Sequence, residues 1–271
     1  MKINQHPAKS FGGPIEPTII VLHDTAGSLR KHSSRNYLAD NPSNVSIHFV
    51  VERDGEVSQL VDTSIKAYHA GRSSYMGRRN CNDFSVGIEI VNPGKLEAYG
   101  MNLNKSSSWF GAVFDNEAEG IVRKKTEAHG DGYWMPYTEA QLESVEKLCE
   151  IIMKSHDIVD VVTHWMISPG RKTDTNPLFP LDALRSRLFG REEPRSSDRE
   201  YVLALTHTPS AGLNFRLWPK IVRGNVIRAL AHNTAVKVIS SEVIEGRGWS
   251  RIEFDGSQGY VVTSFLKTLQ E

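Results

Sequence analysis

The chain has 271 residues, 39% of them hydrophobic, and its 32 Lys and Arg are balanced by 32 Asp and Glu. That length holds one large domain or two small ones. A net charge of zero gives no surplus of positive charge for a nucleic-acid partner, and no run approaches the ~18 apolar residues of a membrane span.

The opening MKINQHPAKSFGG has no apolar core of a secretory signal. The expectation is synthesis in the cytoplasm without a signal peptide, with action there or, by another release route, outside it. Cys81 and Cys149 are too few for a disulfide framework and suit a reducing compartment. Cys149 reads as core; Cys81 reads as a packed thiol, with a place near a site left open.

Residues 18–24, TIIVLHD, form an apolar strand with His23 at its end. Residues 33–39 suit a short helix. Residues 46–60, SIHFVVERDGEVSQL, read as a hairpin turning at Asp54-Gly55. A polar loop follows AYHAG (67–71). In 85–91, Val86, Ile88 and Ile90 alternate with Ser85, Gly87 and Glu89, so Glu89 lies opposite the isoleucines. Residues 95–136 are long, polar and aperiodic, yet carry Trp109, Phe110, Tyr133 and Trp134. They read as an insertion that partly orders over the domain, with His129 at its surface.

Thr138 and Gln141 make a capping-box pattern. The helix it opens, to about residue 156, carries Leu142, Val145, Leu148, Cys149, Ile152 and Met153 on one face. Val159, Val161 and Val162 predict a buried strand with His164 at its end. Pro169-Gly170 turn the chain into a loop bearing Arg171, Lys172 and Asp174, and residues 181–189 suit a closing helix. Two strand-end histidines and a loop aspartate form the kind of three-ligand set that a catalytic zinc takes. A structural hydrogen-bonding role for each stays open.

The segment REEPRSSDR (191–199) reads as a linker between residues 1–190 and 200–271. Beyond it, six short β-rich runs with turn residues between them predict a small barrel.

With these pieces in place, residues 16–190 resemble the zinc-dependent N-acetylmuramoyl-L-alanine amidases, a group that includes phage amidase lysozymes and peptidoglycan recognition proteins. The resemblance rests on IIVLHDTAG (19–27), SIHFVVERDGEVSQLV (46–61), AYHAG (67–71), GRRNCNDFSVGIEIVN (77–92) and VTHWMISPGRKTD (162–174), in family order. CNDFSVGIEI together with RKTD is especially similar to the cytoplasmic anhydromuropeptide amidases. The fold implied is α/β: a mixed central sheet flanked by helices, plus a small all-β SH3-like barrel. That second domain resembles bacterial SH3-like domains through LNFRLWPK (213–220), Gly248-Trp249 and GYVVTSFL (259–266), which implies cell-wall binding. Trp218, Trp249 and Tyr260 are candidates to line a groove there, with core the better place for Trp249.

The resemblance implies Zn2+ held by His23, His164 and Asp174, Glu89 as the acid/base and Lys172 as the group facing the oxyanion. His48 and His69 become candidates to orient the metal ligands or to face the substrate, and Arg79 and Asn82 candidates to touch the peptide stem or to shape their loop. The chain departs from the family where Asp-Pro-Gly-Pro is replaced by Asp174-Thr175-Asn176-Pro177, and where Ile47 replaces a tyrosine found in some members. The expected activity is hydrolysis of the amide between N-acetylmuramic acid and L-alanine in peptidoglycan, lysin-like because of the appended domain. The alternatives are a cytoplasmic anhydromuropeptide-recycling amidase and a non-catalytic peptidoglycan-binding module; the presence of all three ligand residues argues against the last.

Overall fold

In chain order the first unit runs β1 (Ile3–Gln5), β2 (Ile19–Asp24), α1 (Ser33–Ala39), β3 (Phe49–Val51), β4 (Val57–Gln59), β5 (Ser74–Tyr75), β6 (Arg78–Arg79) and β7 (Ser85–Ile90). The insertion follows as β8 (Lys95–Tyr99), β9 (Asn102–Ser107), β10 (Val113–Asp115), β11 (Val122–Thr126) and β12 (Gly130–Trp134). Then come α2 (Glu139–Ser155), β13 (Asp160–Thr163), α3 (His164–Ile167) and α4 (Leu181–Phe189). The computed structural model describes residues 1–126, 128–189, 202–209, 211–222, 224–244, 246–255 and 257–268. Two compact units emerge, Met1–Glu192 and Glu193–Glu271; the expected linker 191–199 lies outside the described residues.

The central sheet is mixed, with strand order β1-β4-β3-β7-β2-β13. β13, β2, β7 and β3 run parallel, while β3 and β4 form the expected antiparallel hairpin. Every residue of β2 is buried, as expected of an inner parallel strand covered on both faces. One face carries Ile20, Leu22, Ile88 and Ile90 against Val145, Leu148, Cys149 and Ile152 of α2 and Leu184 of α4. Each such Leu or Ile contributes roughly 2 kcal/mol on leaving water. Ile47, Val50, Leu60 and Val91 cluster with Ala39 of α1 in a second core group.

The capping box of α2 forms as read: Gln141 N donates to Thr138 Oγ1 and Gln141 Nε2 reaches the Val91 carbonyl, while Thr138 N donates to Gln141 Oε1. Both cysteines are buried thiols. Burial pushes the Cys81 pKa up to about 11, so it is a packed thiol.

Residues 95–136 depart from the expectation of partial order. They build a five-stranded antiparallel sheet, β10-β9-β8-β12-β11. Its core is small, Leu96, Ile121 and Met135, and β11 (VRKKT) is exposed along nearly its whole length. A strand wet on both faces carries no period-2 hydrophobic signal.

The second unit contains β14 (Val202–Thr206), β15 (Leu213–Arg216), β16 (Val226–Leu230), β17 (Ala235–Ile244), β18 (Arg247–Phe254), β19 (Ser257–Val262) and β20 (Leu266–Thr268). They form one antiparallel sheet around Ala204, Leu213, Phe215, Leu230, Val236, Ile252 and Val261. Trp249 is core, as expected. Trp218 is also buried and does not line an open groove. Among the described residues no helix is long and apolar enough to cross a membrane.

Candidate functional site

The parallel strands end on one side of the sheet, where open α/β sheets place ligands. His23, one residue before the end of β2, is in register with Glu89 of β7. β13, paired with β2 on the other side, leads into His164. His164 opens the short helix α3, which the sequence reading had taken for a strand end. The loop after α3 returns Asp174: Trp165 N donates to the Asp174 carbonyl at 2.7 Å.

His23 Nδ1 and His164 Nδ1 lie 2.9 Å apart. Asp174 Oδ2 is 2.9 Å from His164 Nδ1 and 3.3 Å from His23 Nδ1. Both histidines are buried. Three basic atoms thus converge on one point, and only something positive, a shared proton or a metal cation, satisfies all three. The donor set of two imidazoles and a carboxylate is one that zinc takes, and zinc bonds of about 2.1 Å at tetrahedral angles set such atoms roughly 3.4 Å apart. The residues present therefore fit the ion. Burial alone would raise the Asp174 carboxyl, but hydrogen bonds with His164 and His23 hold it well below the ordinary range. Burial, and then the neighbouring His164, lower the His23 pKa to about 4.

The outer ring nitrogens are anchored. His23 Nε2 meets His69 Nδ1 at 2.9 Å, and His164 Nε2 faces the Ala70 carbonyl at 3.2 Å. Such partners orient ligand rings. A Cβ on Gly87 would come within 2.6 Å of His69 Nδ1, so only glycine lets His69 stand behind His23.

Glu89 Oε2 is buried with no hydrogen-bond partner among the described residues. Burial, then the charges of Asp174 and Asp24, push its carboxyl well above the usual range, with Lys172 pulling the other way. The Lys172 charge is felt at His23 as well.

The four substrate-side candidates fare differently. His48 is a correction: it is fully buried, Gly87 N donates to its Nδ1, and its Nε2–H donates to the Ile65 carbonyl, each at 2.9 Å. Both nitrogens serve the fold and none faces a ligand. His69 takes the orienting one of its two expected places, because it backs His23. Asn82 takes the loop-shaping place: its Oδ1 accepts from the backbone N of His69 and Ala70, at 3.1 and 2.7 Å. Arg79 stays exposed on β6.

His48 also yields a pH prediction. Burial lowers its pKa from an ordinary 6.5 to about 4, against the Ile65 hydrogen bond. The unfolded chain binds a proton near pH 6.5 and the folded chain near 4, so this stability is present above 6.5 and lost as pH falls toward 4. His48→Gln is expected to lose roughly 2 kcal/mol less than the parent between pH 7 and 4.5. Urea unfolding at both pH values measures it, and an equal loss in the two proteins rules the idea out.

Several neighbours of the site carried no sequence signal. Asp24 is buried; Tyr137 donates to its Oδ1 and Asn176 N to its Oδ2 at 2.9 Å. Burial, against these bonds, pushes its pKa up to about 8. Thr175 Oγ1 donates to the Leu22 carbonyl at 3.3 Å. His129, expected at the surface, is buried and its Nε2–H donates to the Thr175 carbonyl at 2.9 Å. Arg171 Nη2 donates to the Ala70 carbonyl and Ser168 Oγ, and lies 3.4 Å from His164 Nε2. These contacts pin the Asp174 loop to β2, to the insertion and to the 70–72 loop.

A family model described as N-acetylmuramoyl-L-alanine amidase matches residues 13–177. The 1,6-anhydro-N-acetylmuramyl-L-alanine amidase AmpD of Haemophilus influenzae is 31% identical over 138 residues, 50% of this chain and 54% of that protein. The N-acetylmuramoyl-L-alanine amidase AmiD of Escherichia coli is 29% identical over 202 residues, 70% of this chain and 60% of that one. The chain thus spans little more than half the length of these curated relatives. A solved structure of Escherichia coli AmiD in complex with the substrate anhydro-N-acetylmuramic acid-L-Ala-D-gamma-Glu-L-Lys has a TM-score of 0.48 and 26% identity, covering 75% of this chain and 69% of that one.

Proposed function

Because the chain belongs to the N-acetylmuramoyl-L-alanine amidase family, we propose that it hydrolyses the amide between N-acetylmuramic acid and L-alanine, with 1,6-anhydromuropeptides as its substrate. The choice of the anhydro form draws on the relatives named for that activity. The observation that carries the amidase reading is the convergence of His23, His164 and Asp174, whose ligand atoms all lie within 4.8 Å of one another, beside Glu89.

We assign these three residues to zinc, which when bound polarises the scissile carbonyl and acidifies water. Glu89 then accepts the proton of the attacking water and passes it to the leaving nitrogen. Burial raises its pKa, which strengthens it as a base toward the proton of that water. Lys172 offsets the charge that develops on the carbonyl oxygen. His69 holds the His23 ring, and Arg79 is left to meet the stem peptide.

A second reading, lytic action on polymeric wall, draws on the all-β second unit, which we take as an SH3-like wall-binding domain at 200–271 joined through 191–199. One assay separates the two readings: full-length protein with zinc, given purified anhydromuropeptide or intact sacculi. Release of the peptide from anhydromuropeptide far faster than from sacculi is expected. Preference for sacculi selects the lytic reading, and hydrolysis of neither sinks the amidase assignment.

A further inference from the structure

The turn between β9 and β10 carries a side chain that the fold does not consume. Trp109 is 79% exposed, yet its position is set. Its Nε1–H donates to the Ala26 carbonyl at 2.7 Å, and Phe110 meets it edge-on with ring centroids 5.8 Å apart. The turn beneath is closed by Ser108 N on the Ala112 carbonyl and Gly111 N on the Ser108 carbonyl.

The loop that receives the indole is equally fixed. Thr25 N donates to the Ile90 carbonyl and Thr25 Oγ1 to the Asn92 carbonyl. A Cβ on Gly94 would sit 3.0 Å from Ala26 Cβ, so glycine there permits the approach. A large indole left in water forgoes the free energy of its own burial. An indole combines a flat apolar face with a polar edge, and here that edge is already engaged.

Ala26 stands three residues beyond His23, which puts their Cα atoms at most ~11 Å apart. Trp109 is hydrogen-bonded to that residue, so its ring is tied to the loop that leaves the strand end carrying His23. On the acyl side of the scissile amide, the substrate carries a lactyl group attached to a pyranose ring. That ring and its acetamido methyl offer C–H surface that complements the face of an indole.

We propose that Trp109, steadied by Phe110, is a specificity-determining residue that stacks against the pyranose ring of the substrate; the inference rests on the amidase reading above. The β9–β10 turn would then select for the sugar, while Glu89 and the ligand cluster act on the amide.

The test compares anhydromuropeptide with a sugar-free lactoyl-L-alanyl peptide bearing the same stem. Trp109→Ala removes an exposed side chain and leaves the core intact. It is expected to raise KM for the muropeptide about tenfold, equivalent to ~1.4 kcal/mol, with kcat and the sugar-free substrate unaffected. Trp109→Phe keeps an aromatic face, loses the N–H anchor and should fall between. A second readout needs no turnover: the Trp109 indole N–H resonance of metal-free protein, identified by its absence in Trp109→Phe, should shift on titration with N-acetylmuramic acid. Unchanged KM, an equal loss on both substrates, or a resonance that does not move overturns the proposal. If the parent protein cleaves neither substrate, the amidase reading fails by itself, and the resonance still decides whether Trp109 takes the sugar.

Discussion

Glu89→Gln should cut turnover of anhydromuropeptide by roughly a hundred- to ten-thousandfold, the usual worth of a positioned acid/base, while the protein keeps its fold and its zinc. Glu89 pairs in register with His23 but lies outside the converging donor set, so the metal ligands stay in place. The amide is nearly the same size as the carboxyl, and every other residue of β7 is buried and unchanged. What disappears is the capacity to take a proton. Burial already pushes that carboxyl toward its protonated form, ahead of the effect of the nearby Asp174 and Asp24 charges. A neutral amide should therefore be tolerated at position 89 without loss of stability. Turnover and zinc content measured on the same sample decide the matter. Near-normal turnover with full zinc removes Glu89 from the chemistry.

Removing a ligand should have a larger effect of a different kind. His23→Ala is expected to drop zinc from about one per chain, the stoichiometry of a single three-ligand site, to background, and to abolish activity with it. His23 is almost fully buried and its loss strips His69 of a partner, so its variant needs a companion. Asp174→Asn keeps the shape of the loop and withdraws one negative charge; it should weaken zinc binding with less harm to the fold. In the parent protein a chelator should abolish activity, lower the melting temperature and be reversed by added zinc, because an ion bound only by the folded state stabilises it. Full hydrolysis by chelated, zinc-free protein would falsify the metal assignment.

What was legible in the sequence followed the range of the interactions. Thr138 and Gln141 sit three residues apart and their capping box is a local pattern, so α2 was placed to within a residue at each end. β2 and β13 announce themselves as short apolar runs. Residue types alone offered the ligand set beside ordinary hydrogen-bonding roles and only the resemblance assigned it, because His23 and His164 are 141 residues apart and no periodicity links them. His48 was misread for the same reason: its partners, Ile65 and Gly87, lie 17 and 39 residues away, and a histidine near a motif looks alike whether it faces the core or a ligand. The insertion failed on composition. Its strands are largely wet, so the alternation that reveals a half-buried strand was missing.

Within the first unit, the two edges of the central sheet are β1 and β13, both short. β1 has three residues and β13 four, against six in β2 and β7. β13 also begins with Asp160, held by Arg185 through both carboxylate oxygens. An open strand edge is a template on which another chain can add its own strand, and shortness and charge at the edge work against that. The consequence is colloidal. While the chain is folding and its sheet edges are briefly bare, neighbouring copies find only a few backbone groups to zip onto, and a charged residue where the ladder would start.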